Sequence, residues 1–344
     1  MSGELNLSET RELVLERVRR DSAFIVATHE NPDGDALGSL IGMHGLLTAI
    51  GKDSVMFISA NDLPLPREYR CPALEHAIQA APADIGARTV VMLDCGNIDR
   101  NPAAVLQHGS HLLNIDHHHD NTLFGTVNLV DPLASCTAEI VWDLMHGLNV
   151  APTEAVAEAL YIGLVTDTGR FMYENTGPRA HRMAAELISA GVNVPAVYRR
   201  LYEDMPLAKL TLLGIALERI QRFEEGTLTL VALDAVDFER VGAEESFSEG
   251  IVDHLRSVVG TKVAVLIREL TAPESGGKRK VSLRATGDDI DVSAIARTQG
   301  GGGHRRAAGF STTLDLTELI ALLRHEVAAQ VRRAPNGPPV PTLA

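Results

Sequence analysis

Short apolar runs alternate along the first two hundred residues with longer stretches whose apolar positions recur at helical spacing. The runs 23–28 (AFIVAT), 54–58 (SVMFI), 89–93 (TVVML) and 111–115 (HLLNI) lack the polar alternation of a half-exposed strand. They therefore predict strands buried on both faces. Helical periodicity lies between them at about 36–50, in a fainter stretch near 73–80, and at 137–148; further helices are expected at about 153–165, 178–190 and 194–203. Such β-α alternation predicts a mostly parallel sheet covered by helices.

A helix over about 204–222 leads into a region with another rhythm. There 227–233, 261–269 and 279–286 read as strands, and TAPESGGKRK has the turn chemistry of a hairpin between the last two. Helical patterns at 246–258, 291–298 and 314–332 complete the region. The expected fold class is α/β. Residues 1–203 would form an N-terminal parallel-sheet domain, 204–222 a helical connector and 223–333 a smaller α+β domain, with a Pro-rich tail, 334–344, expected to be disordered. The N-terminal stretch reads as a charged amphipathic helix capped by Ser8 and has no secretion signal's apolar core.

Charge narrows the partners. With 31 Lys and Arg against 45 Asp and Glu, the net charge of −14 argues against a broad basic face for long DNA or RNA. Short phosphorylated ligands remain compatible if cations supply local positive charge. No apolar run approaches the roughly 20 residues of a membrane helix. The three cysteines, Cys71, Cys95 and Cys136, form no CxxC pair, which argues against both a disulfide framework and a thiolate-bound zinc. A reducing cytoplasm is the expected location.

The candidate chemistry sits where the apolar runs end. His29, Asp33 and Asp35 lie in HENPDGDALGS, Asp94 in VVMLDCGN, Asp116, His117 and His118 in LLNIDHHHD, and Asp167 in GLVTDTGRF. A lone Asp beyond a strand is usually a turn former or cap. Four such clusters together are not, because ligands in open α/β sheets gather beyond the carboxyl ends of strands. Clustered carboxylates repel one another unless cations are present. Carboxylate with imidazole and no thiolate suits Mn2+, or a related six-coordinate ion such as Mg2+ or Co2+, better than structural zinc. Two such ions side by side are the chemistry of phosphoester cleavage.

A second signal lies in the later region, in RKVSLRATGDDIDVSAIARTQGGGGHRRAAGF. Gly300 to Gly303 read as a loop that grips a ligand through backbone N–H groups, with His304 after it and Arg284 on the preceding strand. Seven Lys and Arg stand against three Asp between 278 and 306, a local excess of positive charge in an acidic chain.

These motifs jointly resemble the DHH family of phosphoesterases. HENPDGDALGS is similar to that family's first motif, LDCGN to its second, IDHH to its third and GLVTDTGRF to its fourth; SLRA and GGGGHRRAAGF resemble its DHH-associated C-terminal domain. The resemblance covers about residues 10–330. It implies two manganese ions, one on His29, Asp33 and Asp94 and the other on Asp35, Asp94, His117 and Asp167, with Mg2+ or Co2+ as substitutes. It also implies that His118 contacts the phosphate, that Asp94 and His118 are the catalytic pair, and that His119 lies outside the site. Arg284, Gly302, Gly303 and His304 would bind the nucleotide across a cleft from the metals, with Arg170 reaching the substrate. The layout looks most like the family branch that degrades short oligoribonucleotides to mononucleotides and dephosphorylates 3′-phosphoadenosine 5′-phosphate. Two alternatives are carried: a soluble phosphodiesterase for pApA or cyclic di-AMP, and a non-catalytic nucleotide-binding regulator. The resemblance also allows a homodimer.

Overall fold

The computed structural model describes residues 6–101, 103–270, 278–287 and 289–333. The expected tail and the centre of the expected hairpin turn, 271–277, lie outside the described residues. The chain divides into two compact units, Met1–Asp204 and Met205–Ala344.

In the first unit, α1 (Leu7–Arg20) begins at Asn6 and not at Ser8. The Asn6 side chain accepts from Glu9 N–H while the Glu9 carboxylate accepts from Asn6 N–H, a reciprocal capping box that Ser8, two residues later, cannot form. Five strands follow: β1 (Ala23–Thr28), β2 (Asp53–Met56), β3 (Thr89–Leu93), β4 (His111–Asp116) and β5 (Val127–Val130). They lie in the order β2-β1-β3-β4-β5 with every pairing parallel. The parallel sheet read from the apolar runs is present, with β5 as an unforeseen edge strand whose Asn128 breaks the apolar pattern.

Successive side chains of β1 and β3 divide between two cores. Phe24, Val26, Val91 and Leu93 face the helices α2 (Gly34–Ala49), α3 (Thr137–Gly147), α4 (Glu154–Asp167) and α5 (Pro178–Ser189). Ile25, Ala27, Val90 and Met92 face a thinner layer with Phe57 and Leu106. Each fully buried Leu, Ile or Phe contributes on the order of 2 kcal/mol of transfer energy, so the helical face dominates this unit's stability. The helix expected near 73–80 is a single 3-10 turn, Pro72–His76, whose one buried residue, Leu74, joins the helix-side core. The helix expected at 194–203 is α6 (Val194–Tyr198) continued by a π turn over Arg199–Glu203.

The second unit starts with α7 (Leu207–Glu218), whose Leu212 and Ala216 pack with Val231, Leu233 and Phe238 of the same unit. Its strands are β6 (Gln221–Phe223), β7 (Leu228–Leu233), β8 (Val263–Glu269), β9 (Arg279–Ala285), β10 (Gly302–His304) and β11 (Ala307–Thr312). The order is β10-β11-β9-β8-β7-β6, antiparallel except between β7 and β8. On one face sit α7, α8 (Ala235–Val241) and α9 (Ile251–Arg256); on the other, α10 (Val292–Thr298) and α11 (Leu316–Arg333). The glycine run corrects the sequence expectation. It is not wholly a loop, because Gly302 to His304 pair with β11 as a strand. Cross-strand pairing overrides the weak strand propensity of glycine here. A Cβ on Gly303 would fall 2.5 Å from Ala307 O at φ +132°, so only glycine fits.

Among the described residues, no helix is long and apolar enough to cross a membrane.

Candidate metal centre

The strand order reverses direction between β1 and β3, the topological switch point where open parallel sheets form their crevice. His29 follows β1, Asp94 follows β3 and His117 follows β4, so three neighbouring strands deliver one ligand type each to the same edge. Asp94 sits at φ +56°, a left-handed conformation that turns the chain sharply off the strand. Its amide still donates to Ile115 O at 3.1 Å, which ties the turn to β4.

Two helix ends complete the set. Asp33 caps α2 by accepting from Asp35 N–H and Ala36 N–H, both at 3.0 Å. Asp167 is the last residue of α4, so this carboxylate comes from a helix terminus and not from a strand end. Glycine makes the approach of the two helices possible: a Cβ on Gly34 would lie 2.4 Å from Thr166 Oγ1.

The groups converge. His29 Nε2 lies 3.4 Å from Asp94 Oδ2, while His117 Nε2 lies 3.6 Å from Asp94 Oδ1 and 3.8 Å from Asp167 Oδ2. His29 Nδ1 donates to Glu30 O at 2.7 Å, which leaves Nε2 to face Asp94. Two sets of side chains, His29 with Asp33 and Asp94, and Asp94 with His117 and His118, each place ligand atoms within 4.8 Å of one another. Asp94 belongs to both. Asp35 lies in neither; its Oδ2 accepts from Thr137 N–H at 2.7 Å and its Oδ1 from Ala138 N–H at 2.9 Å. It thereby caps α3, whose own N-cap residue, Cys136, makes no side-chain cap bond. A carboxylate oxygen has capacity beyond one such bond, so capping does not remove Asp35 from a ligand set.

Electrostatics describe a crowded anionic site. Burial and the neighbouring charges of Asp94 and Asp167 push the Asp35 carboxyl well above its ordinary range. Burial raises Asp167 to about 7, with His117 opposing and Asp94 adding to the rise. Burial disfavours a charged His117, yet Asp167, Asp94 and Asp35 outweigh it and raise the imidazole to about 9. Burial likewise opposes ionisation of Asp94, but the His29 hydrogen bond and the charges of His118 and His29 hold it below the usual carboxylate range. Protons and histidines thus neutralise a cluster of acids. Oxygen and imidazole donors converging on one shared carboxylate fit divalent cations, which would take over that neutralisation.

Several positioning groups are visible only in three dimensions. Thr137 Oγ1 donates to Asp94 Oδ1 at 3.1 Å, and Asn175 Nδ2 donates to Asp167 Oδ2 at 3.0 Å. Asn121 Nδ2 donates to Asp116 Oδ2 at 2.5 Å. Their only sequence signal is proximity to motifs, SCTAE ahead of a helix and DHHHDN. Arg170 sits with its guanidinium 5.1 Å from the Tyr202 ring centre, at φ +64° in the turn after Asp167.

In the second unit, Arg284 donates to Leu283 O at 3.1 Å, and its Nε lies 4.0 Å from Asp253 Oδ1. Register places His304, Ala307 and Arg284 in one row across β10, β11 and β9. The six residues expected at the metals all belong to the first unit, and Arg284, Gly302, Gly303 and His304 to the second.

Comparison with known proteins matches residues 23–164 to the DHH family, N-terminal domain, and residues 233–330 to the DHHA1 domain. The chain is similar to the bifunctional oligoribonuclease and PAP phosphatase NrnA of Thermus thermophilus, 34% identical over 95% of this chain and 96% of that one. It is also similar to the protein of the same name from Bacillus subtilis, 28% identical over 84% of this chain and 88% of the other. Among solved structures, an exopolyphosphatase-related protein from Bacteroides fragilis superimposes with a TM-score of 0.86 at 21% identity, covering 97% of this chain and 99% of its own. RecJ of Thermus thermophilus in complex with Mn2+ shares the fold with a TM-score of 0.53 at 16% identity, covering 95% of this chain and 55% of RecJ.

Proposed function

This chain belongs to the DHH family and is a hydrolase of phosphoester bonds, and we propose that it uses two manganese ions to cleave short oligoribonucleotides to mononucleotides and to dephosphorylate 3′-phosphoadenosine 5′-phosphate. The observation that carries this reading is Asp94, whose two oxygens face two separate histidine-containing groups. His29, Asp33 and Asp94 would hold one ion; Asp35, Asp94, His117 and Asp167 would hold the other. Bound divalent cations supply charge for phosphoryl oxygens and acidify an attacking water near neutral pH.

The chain's own residues do the rest. Asp94 and the helix-end carboxylates fix the two positions against mutual repulsion, and Thr137 orients Asp94. His118 meets the phosphoryl group. Arg284 pairs with a substrate phosphate, and the backbone of Gly302 and Gly303 lies close to the sugar-phosphate, with His304 and Arg170 as further contacts. Short substrates suit a chain whose net charge of −14 disfavours long polyanions. The relatives named for oligoribonuclease and PAP phosphatase activity align with this chain over 95% and 84% of its length. A reducing cytoplasm suits its three free cysteines.

The test is turnover of 5′-phosphorylated RNAs of graded length, pApA, cyclic di-AMP and 3′-phosphoadenosine 5′-phosphate, with Mn2+ and with chelator. Expected are complete degradation of oligomers of a few nucleotides, release of AMP from 3′-phosphoadenosine 5′-phosphate, and no turnover in chelator. Cleavage confined to pApA or cyclic di-AMP would replace the proposed substrate, and metal-independent turnover would remove the proposed chemistry.

A further inference from the structure

His118 stands between two carboxylates that would use it differently. Its Nδ1 lies 2.6 Å from Asp116 Oδ1 and 3.6 Å from Asp94 Oδ1. Toward the Asp94 side, that nitrogen would be a metal ligand beside His117. Toward Asp116 it must carry a proton, and a protonated nitrogen has no lone pair to give a cation.

The surroundings of Asp116 favour the second arrangement. Its side chain is fully buried at the end of β4, and Oδ1 also accepts from His117 N–H at 2.9 Å. Oδ2 accepts from Asn121 Nδ2. Three donors therefore meet its two oxygens, and Asp116 belongs to neither group of converging metal-ligand atoms.

Asn121 is itself held. Its Nδ2 also reaches Cys95 O at 3.3 Å, and its Oδ1 accepts from Asn114 Nδ2 at 2.8 Å and Leu123 N–H at 2.7 Å. Asn114 is buried in the centre of β4. A chain of amides thus runs from inside the sheet to the ring of His118. Asn114 Oδ1 is left without a partner, so the lock on Asp116 comes from the bonds that Asn121 makes on both sides of its amide.

We propose that Asp116, locked by Asn121 and Asn114, is a positioning residue that holds the Nδ1 proton of His118, keeps this histidine out of the metal set, and makes Nε2 its working nitrogen. The eponymous Asp-His-His run then has three roles: Asp116 orients, His117 ligates, His118 meets substrate. The last of these rests on the phosphoesterase reading; the state of the ring does not.

Two measurements test it. Imidazole 15N spectra of the Mg2+-loaded protein read the ring directly, and His118 Nδ1 should carry a proton coupled to Nδ1 in the wild type. A His118 Nδ1 that is unprotonated and shifted by metal overturns the proposal, whatever the enzyme hydrolyses. In kinetics, Asp116→Asn should lower kcat by about ten- to a hundredfold. Calorimetric Mg2+ affinity without substrate should stay within about threefold, and the kcat loss should largely vanish in a His118→Gln background. A loss of kcat that persists undiminished in that background, or a matching loss of metal affinity, makes Asp116 a ligand or a merely structural residue. If no phosphoester is turned over, the functional reading fails while the 15N spectrum still decides the role of Asp116.

Discussion

The carboxylates of the first unit and the candidate substrate contacts of the second are held in opposite ways. Asp35, Asp94 and Asp116 are almost wholly buried, and each accepts hydrogen bonds from residues distant in sequence or from an adjoining loop. Arg284 is about a third exposed, at 34%, and donates to the carbonyl of its own neighbour, Leu283. The glycine strand β10, separated from it by β11, offers backbone and no side chain over Gly302 and Gly303. Like charges within a few ångströms must be fixed before they can share cations, because relaxation would carry them apart. A cationic arm that meets varied substrates needs reach, and rigidity would limit it. Damage to the first region should therefore appear in catalysis, and damage to the second in substrate affinity.

The largest expected effect tests the first half of that contrast. Asp94→Asn removes the carboxylate shared by both groups and should reduce kcat by at least about a thousandfold, on the order of 4 kcal/mol of transition-state stabilisation. Far-ultraviolet circular dichroism should be unchanged. Turnover within tenfold of the parent would show that the shared position is not needed.

Arg284→Ala tests the other half. Steady-state kinetics should show KM raised about tenfold with kcat within about threefold, the signature of lost uniform binding. A fall in kcat with KM unchanged would move Arg284 from gripping to chemistry and erase the contrast.

The smallest effect concerns stability without metal. Asp167, raised to about 7, keeps a proton in the folded state that the unfolded chain releases near 4, so stability falls as pH rises through that window. His117, raised to about 9, contributes stability that is complete below its unfolded value of 6.5 and is lost as pH rises through about 9. The Tm of chelated protein should therefore decline from pH 5 to pH 9, and Mn2+ should flatten the decline by replacing protons. Asp167→Asn should raise the chelated protein's Tm at pH 8 by a few degrees while lowering activity. A chelated Tm that rises with pH would contradict the crowded-anion description.

Much of this was legible in the chain because parallel strands buried on both faces are apolar runs, and a histidine or aspartate at the end of such a run stands out. His29, Asp94 and His117 were readable on that ground. Asp167 was read at the end of an apolar run just past the helix expected at about 153–165, and α4 runs on to include it. Thr137, Asn121 and Asn175 act through contacts between separate segments, which no local pattern encodes. Asp35 was readable as a candidate ligand, but its hold on α3, which spans 102 residues from Asp35 to Thr137, was not. In the second unit, Gly302 to His304 carry no strand signal of their own and pair because β11 lies alongside.

The central claim is that one shared carboxylate seats two divalent ions. Anomalous diffraction at the manganese edge from crystals grown with Mn2+ tests it most directly. Two peaks flanking the Asp94 carboxylate, one beside His29 and the other beside His117, are the expected result. A single peak, or none within coordination distance of Asp94, would contradict it.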